Sequence, residues 1–166
     1  WERVFLYGDA DLCNNLSSAT NQWVHSGHQV VTKNVAKCEF VVGLARLMIE
    51  TLGSQSILQV QTLVAELIEN LEIVKALLAA SEANAALDQW GTMSPAHAPL
   101  TVARSLFIRM YPRMAEIIQL LGSSSLMALP SEADLEGPLA KDIEQYLETD
   151  TASARDRVQL FHLAWD

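Results

Sequence analysis

Few residues in this sequence can do chemistry, and most of their spacings argue against the obvious uses. The histidines are His25, His28, His97 and His162. A di-metal site in a helical bundle draws on Glu-x-x-His pairs from facing helices. The residues three places before these histidines are Gln22, His25, Ser94 and Gln159, so no such pair exists. His25 and His28 could chelate as an i, i+3 pair, but no carboxylate stands near them in sequence, and we expect no metal centre. His28 occupies a position on an otherwise apolar stripe, where a buried imidazole needs partners. Two readings stay open: a satisfied core or interface histidine, or a lining residue of a substrate cleft with Gln29, Lys33 and Asn34 close by. No Gly-x-Gly-x-x-Gly, Walker or Gly-x-Ser-x-Gly motif is present, and no nucleophile stands beside a base.

The other candidate is the stretch QLLGSSS at 119–125. Small residues at a helix end let backbone N–H groups approach an anion closely. The plain alternative is a helix C-cap. Cys13 and Cys38 make no disulfide framework, and Cys38 falls on an apolar stripe, where Cys behaves as a small hydrophobe. A reducing cytoplasm is the expected location.

The elements that must position these groups are helices. From about 20 to 52 there is no proline, and positions 24, 28, 31, 35, 38, 42, 45, 49 and 52 step by alternating four and three residues. That is a bundle-helix seam. Gly53 should stop it in the left-handed conformation. Ser54 is the candidate N-cap of a second helix, with seam positions 57, 60, 64, 67, 71, 74, 78, 81 and 85, closing at Gly91. A one- or two-residue connection predicts an antiparallel hairpin. TMSPAHAP at 92–99 reads as a linker. A third helix carries Ala103, Phe107, Met110, Met114, Ile117 and Leu121, with Pro112 predicting a kink near Ile108. A loop at 130–138, a short helix over 139–147 and a last helix from about 153 complete the pattern. The fold class is therefore all-α, an antiparallel bundle of three long and two shorter helices.

Composition narrows the partners. The 166 residues are 50% hydrophobic, with 7 Gly and 5 Pro, which fits one domain with a real core. Eleven Lys and Arg against twenty Asp and Glu give a net charge of −9, which would repel a nucleic acid. No long uncharged apolar run predicts a membrane span. The β-prone opening WERVFLY and the apolar ending suggest a piece of something longer. We expect residues 1–9 to be the tail of an upstream β domain or a lead-in, and 10–166 to be the bundle.

The strings WERVFLYGD, HQVVTKNVAKCEFVVGLARLM, ALDQWGTMSPAHAPL, RMYPRMAEIIQLLGSSSLMALPSEAD and RVQLFHLAWD resemble, in order and over essentially the whole chain, the carboxy-terminal region of the 4-hydroxyphenylacetate 3-hydroxylase oxygenase family. The resemblance implies an acyl-CoA dehydrogenase-like fold, of which this chain is the carboxy-terminal bundle. It implies an enzyme that takes reduced FAD from a separate flavin reductase, hydroxylates a phenol ortho to its hydroxyl, and assembles as a homo-tetramer through the bundle. It implies no catalytic residue here, because the substrate-orienting side chains belong to the preceding domains. By analogy with acyl-CoA dehydrogenases, Gln119, Gly122, Ser123 and Ser124 would contact the cofactor, with Ser123 standing where the pattern has a second glycine. No cofactor is expected to bind this segment by itself. A relative of this fold, 4-hydroxybutyryl-CoA dehydratase, holds an iron–sulfur cluster through a His followed seven residues on by Cys. The seventh residue after His28 is Val35, which argues against that branch. The rival readings are a non-catalytic helical assembly module and an acyl-CoA dehydrogenase-type flavoprotein, for which Glu39, Glu50 and Glu66 are available carboxylates.

Overall fold

The computed structural model describes residues 1–4 and 6–165. Among the described residues there are seven helices: α1 Ala10–Ala19, α2 Gln22–Thr51, α3 Leu58–Ala83, α4 His97–Gly122, α5 Glu132–Glu136, α6 Ala140–Leu147 and α7 Ala154–Trp165. A two-residue hairpin, β1 Ala86–Leu87 with β2 Met93–Ser94, joins α3 to α4, and a 3₁₀ turn, Ser123–Leu126, follows α4. The protein is an all-α bundle, as its periodicity predicts. No helix among the described residues is long and apolar enough to cross a membrane.

The chain divides into two compact units, each assembled from separated segments. One comprises Trp1–Val35 with Ile73–Phe107, the other Ala36–Glu72 with Ile108–Asp166. In the first, His28 on α2 meets Glu82 on α3, and Gly27 faces Leu100 and Arg104 on α4. Ser81 donates from its hydroxyl to the Ala96 carbonyl at 2.7 Å, fixing the end of α3 to the start of α4. In the second, Cys38 on α2 lies against Met114 on α4, and Arg113 on α4 pairs with Glu66 on α3.

The predicted seams face the core. On α2, Val24, Val31, Cys38, Ala45 and Ile49 are buried; on α3, Leu67, Leu71, Val74 and Ser81; on α4, Ala103, Met114, Ile117 and Leu121. Gly53 takes φ +63 and closes α2 in a Schellman motif, with Ser54 N–H donating to Ile49 O and Gly53 N–H to Glu50 O.

Several local expectations are corrected. Residues 10–19 form a helix that carries no buried residue; Asp9 caps it by accepting from Leu12 N–H. Ser54 does not cap α3. Its hydroxyl turns back to the Ile49 carbonyl, and the connection runs six residues, 52–57, rather than one or two. Gly91 does not end a helix but takes φ +76 in the hairpin loop, where Asp88 Oδ1 accepts from both Trp90 and Thr92 N–H at 2.9 Å. The 92–99 linker is instead β2 followed by the first turn of α4. Pro112 lies inside α4, where the sequence places it. The 130–138 loop contains α5, opened by a capping box between Ser131 and Asp134. In the β-prone opening, residues 1–4 and 6–9 form no strand, and Phe5 lies outside the described residues.

Candidate functional site

Gln119 lies on the exposed side of α4 and lines an apolar cavity of about 380 Å³ in the second unit. Its walls come from three helices: Phe40, Val41 and Leu44 on α2, Tyr111 and Ile118 on α4, and Leu163 to Trp165 on α7, with Leu126 of the 3₁₀ turn at the back. Lys37 is the charged residue among them. Its ammonium sits 4.8 Å from the centre of the Tyr111 ring, a cation–π distance. Phe40 and Trp165, both lining it, are more than half exposed.

Gly122 ends α4 with ordinary helical dihedrals and is buried. Its lack of a side chain serves packing: a Cβ there would stand 2.5 Å from Leu126 Cγ, closer still to Leu126 Cδ1, and 3.0 Å from Met48 Cε. The left-handed residue is the next one, Ser123, at φ +46. Ser123 and Ser124 are exposed. Ser124 lines a different, smaller cavity of about 210 Å³ with Ser125, Leu129 and Arg157. Thus the structure separates Gln119 from Ser124, which the sequence places five residues apart. Arg157 of α7 fixes the turn, donating from one guanidinium nitrogen to Ser125 Oγ at 3.2 Å and from another to the Leu147 carbonyl at 3.3 Å.

His28 is half-buried, and its Nε2 lies 2.8 Å from Glu82 Oε1. The imidazole therefore bridges α2 and α3 in the first unit. Gln29 beside it is exposed.

Several shifted ionisable groups fall in the second unit. Arg113 Nε and Nη2 grip both Glu66 oxygens at 2.8 and 2.9 Å, and Nη1 reaches Glu116 at 2.9 Å. Hydrogen bonding from Arg113 holds the Glu66 carboxyl below the usual range, and both carboxylates push Arg113 up. Burial, with help from Glu39, pushes the Cys38 thiol up.

Gln119 was a candidate from the sequence; Lys37, Phe40, Tyr111 and Trp165, which line the same cavity, were not. Lys37 and Phe40 fall on α2 outside its seam, and only tertiary packing brings α7 beside them. One weak signal existed: aromatic residues on the solvent side of a helix.

Comparison with known proteins decides the relationship. Residues 13–166 match the family described as 4-hydroxyphenylacetate 3-hydroxylase C terminal. The chain belongs to this family. Among the relatives of this domain, the oxygenase component of 4-hydroxyphenylacetate 3-monooxygenase from Geobacillus sp. (strain PA-9) is 45% identical over all of the chain and 34% of its own length. The Thermus thermophilus oxygenase component is 42% identical, again over all of this chain and 34% of its own. The chain thus spans about a third of the length of the curated relatives it matches. A solved oxygenase component complexed with FAD and 4-hydroxyphenylacetate superimposes with a TM-score of 0.92 at 42% identity, over 99% of this chain and 35% of the other. The likeness in fold and in sequence therefore runs along 99% of this chain.

Proposed function

We propose that this chain is the carboxy-terminal helical domain of an FADH₂-dependent phenol ortho-monooxygenase, contributing scaffold, subunit interface and one edge of the flavin site. The observation that carries this reading is the whole-chain match, at 42% identity and TM-score 0.92, to an oxygenase structure complexed with FAD and 4-hydroxyphenylacetate. The substrate class is a 4-hydroxyphenylacetate-like phenol, the partner a flavin reductase, and the setting cytoplasmic.

The residues present fit an edge of such a cofactor. Gln119 stands on the wall of a cavity whose other groups are apolar, aromatic and, at Lys37, cationic. FAD is flat, aromatic and anionic, so this donor set is complementary to part of it. When bound in reduced form, FAD supplies the electrons that let one atom of O₂ enter the phenol ring while the other leaves as water. Gln119 orients by hydrogen bonding through its amide. The apolar walls exclude water. Arg157 holds the 3₁₀ turn in place through Ser125. Substrate orientation is assigned to the rest of the protein.

The assembly role is supported by the exposure of Leu58, Ile108, Leu120 and other large apolar side chains on a helical domain. Two experiments test the whole reading. The product of the full reading frame encoding this segment is supplied with FAD, NADH, a flavin reductase, O₂ and 4-hydroxyphenylacetate, and catechol formation is followed by chromatography. No catechol from this or other para-substituted phenols, with free FADH₂ demonstrably present, would refute it. Equilibrium sedimentation of the same protein is expected to show a tetramer; a monomer would remove the interface role.

A further inference from the structure

Resting on the flavin reading above, we propose that Lys37 pairs with an anionic group of the cofactor, and that the cavity beside it takes a flat ring attached to that group. Three observations lead there. The cavity, about 380 Å³, has room for one ring system but not for a dinucleotide, so a ligand seated in it leaves its charged part outside. Lys37 is the charged residue among those lining the cavity, and its contact with the Tyr111 ring holds the ammonium against the wall. Phe40 and Trp165 leave aromatic surface open at the same place, which stacking on a flat ring would cover.

The charge of the chain sharpens the argument. At a net −9, this segment repels an anionic dinucleotide, so a contact with it calls for a local cation. Lys37 on α2 and Gln119 on α4 line the same cavity, which supplies one cation and one neutral amide to the same ligand. The bland alternative is a surface lysine resting on Tyr111, which would matter to stability and not to binding.

The test uses the full-length protein and anaerobic titration with photoreduced FAD, followed by flavin fluorescence. Lys37→Met is expected to weaken FAD binding about tenfold, the usual consequence of losing a charge-assisted contact, and to flatten the salt dependence of the Kd. Lys37→Arg is expected to stay within about threefold, since the charge is kept. Unchanged circular dichroism and Tm in both variants would separate binding from folding. Competition by ADP identifies the adenine ring as the occupant, and competition by FMN the isoalloxazine; competition by neither overturns the ring part of the proposal. Binding by Lys37→Met within twofold of wild type, with wild type binding FAD normally, overturns the role of Lys37. A wild-type protein that binds no flavin sinks the functional reading itself, and this inference with it.

Discussion

Gly122→Ala is the substitution whose effect the structure specifies most sharply. In an exposed helix, replacing Gly by Ala stabilises by about 0.5–1 kcal/mol, because the unfolded chain loses freedom. Here the new methyl would stand 2.5 Å from Leu126 Cγ and 3.0 Å from Met48 Cε. Met48 Cε is the tip of a flexible side chain and can yield a few tenths of an ångström. Leu126 is only 7% exposed and sits on a 3₁₀ turn tied down through the neighbouring Ser125, so it has nowhere to go. Overpacking of this kind costs about 1–3 kcal/mol. The net expectation is a loss of about 1–2 kcal/mol, or a Tm lower by roughly 2–8 °C for a chain of this length. The decisive assay is a double-mutant cycle by urea denaturation. Leu126→Ala alone should cost about 2–3 kcal/mol through the void it leaves. In the Leu126→Ala background the clash is gone, so Gly122→Ala should become neutral or stabilising. A coupling above about 1 kcal/mol is expected. Additivity of the two changes would refute the packing argument and return Gly122 to a role in approaching a ligand.

Four further outcomes follow from the same structure. Ser123 holds φ +46, a conformation that costs a non-glycine residue about 1–2 kcal/mol, so Ser123→Gly should raise the unfolding free energy from urea denaturation by about 0.5 kcal/mol net while Ser123→Val lowers it. Glu66 has its folded pKa depressed by Arg113; its contribution is present above the unfolded carboxylate range and lost as pH falls through the folded value. The stability difference between wild type and Glu66→Gln should therefore narrow as pH is lowered below about 4, measured by thermal unfolding in an acid series. Cys38 is fully buried with a raised thiol pKa whereas Cys13 is exposed, so a native Ellman titration should detect one of the two thiols and a denatured one both. Arg157→Met removes the donors to Ser125 and the Leu147 carbonyl, and hydrogen exchange at residues 123–126 should speed up more than exchange in α2.

The long helices were legible because their burial repeats in sequence. Position after position of the α2 seam, from Val24 to Ile49, is buried or half-buried as the four-three stepping requires. α1 was not picked out, because its apolar residues Leu12, Leu16 and Ala19 make only a short pattern on a ten-residue helix that buries none of them. Ser54 misled for a physical reason: a serine after Gly53 looks like an N-cap, but the Schellman geometry at the end of α2 engages it first. The β1–β2 hairpin is two residues per strand, too short for alternation to register. At the candidate site, Gln119 was reachable through its neighbours in sequence and through resemblance. Lys37 and Trp165 were not, because 128 positions separate residue 37 from residue 165 and only folding puts both on one cavity. His28 was read as cleft-lining or as satisfied, and its partner Glu82 lies 54 residues away, out of reach of local pattern.

The interleaving of the two units has a consequence for biosynthesis. The unit made from Trp1–Val35 and Ile73–Phe107 has all its residues once position 107 has been translated. The other needs α7, whose Phe161 is fully buried, and it needs Thr151, whose hydroxyl reaches back 101 residues to the Glu50 carbonyl. Emerging from the ribosome, the chain would hold a closed first unit while the second halves of α2 and α4 still lack their final cover. That interval exposes the apolar surface around Met48 and Ile118 to other nascent chains. It also means that premature termination between residues 107 and 154 leaves a product with one finished unit and one sticky one, a substrate for proteolysis rather than a smaller working domain.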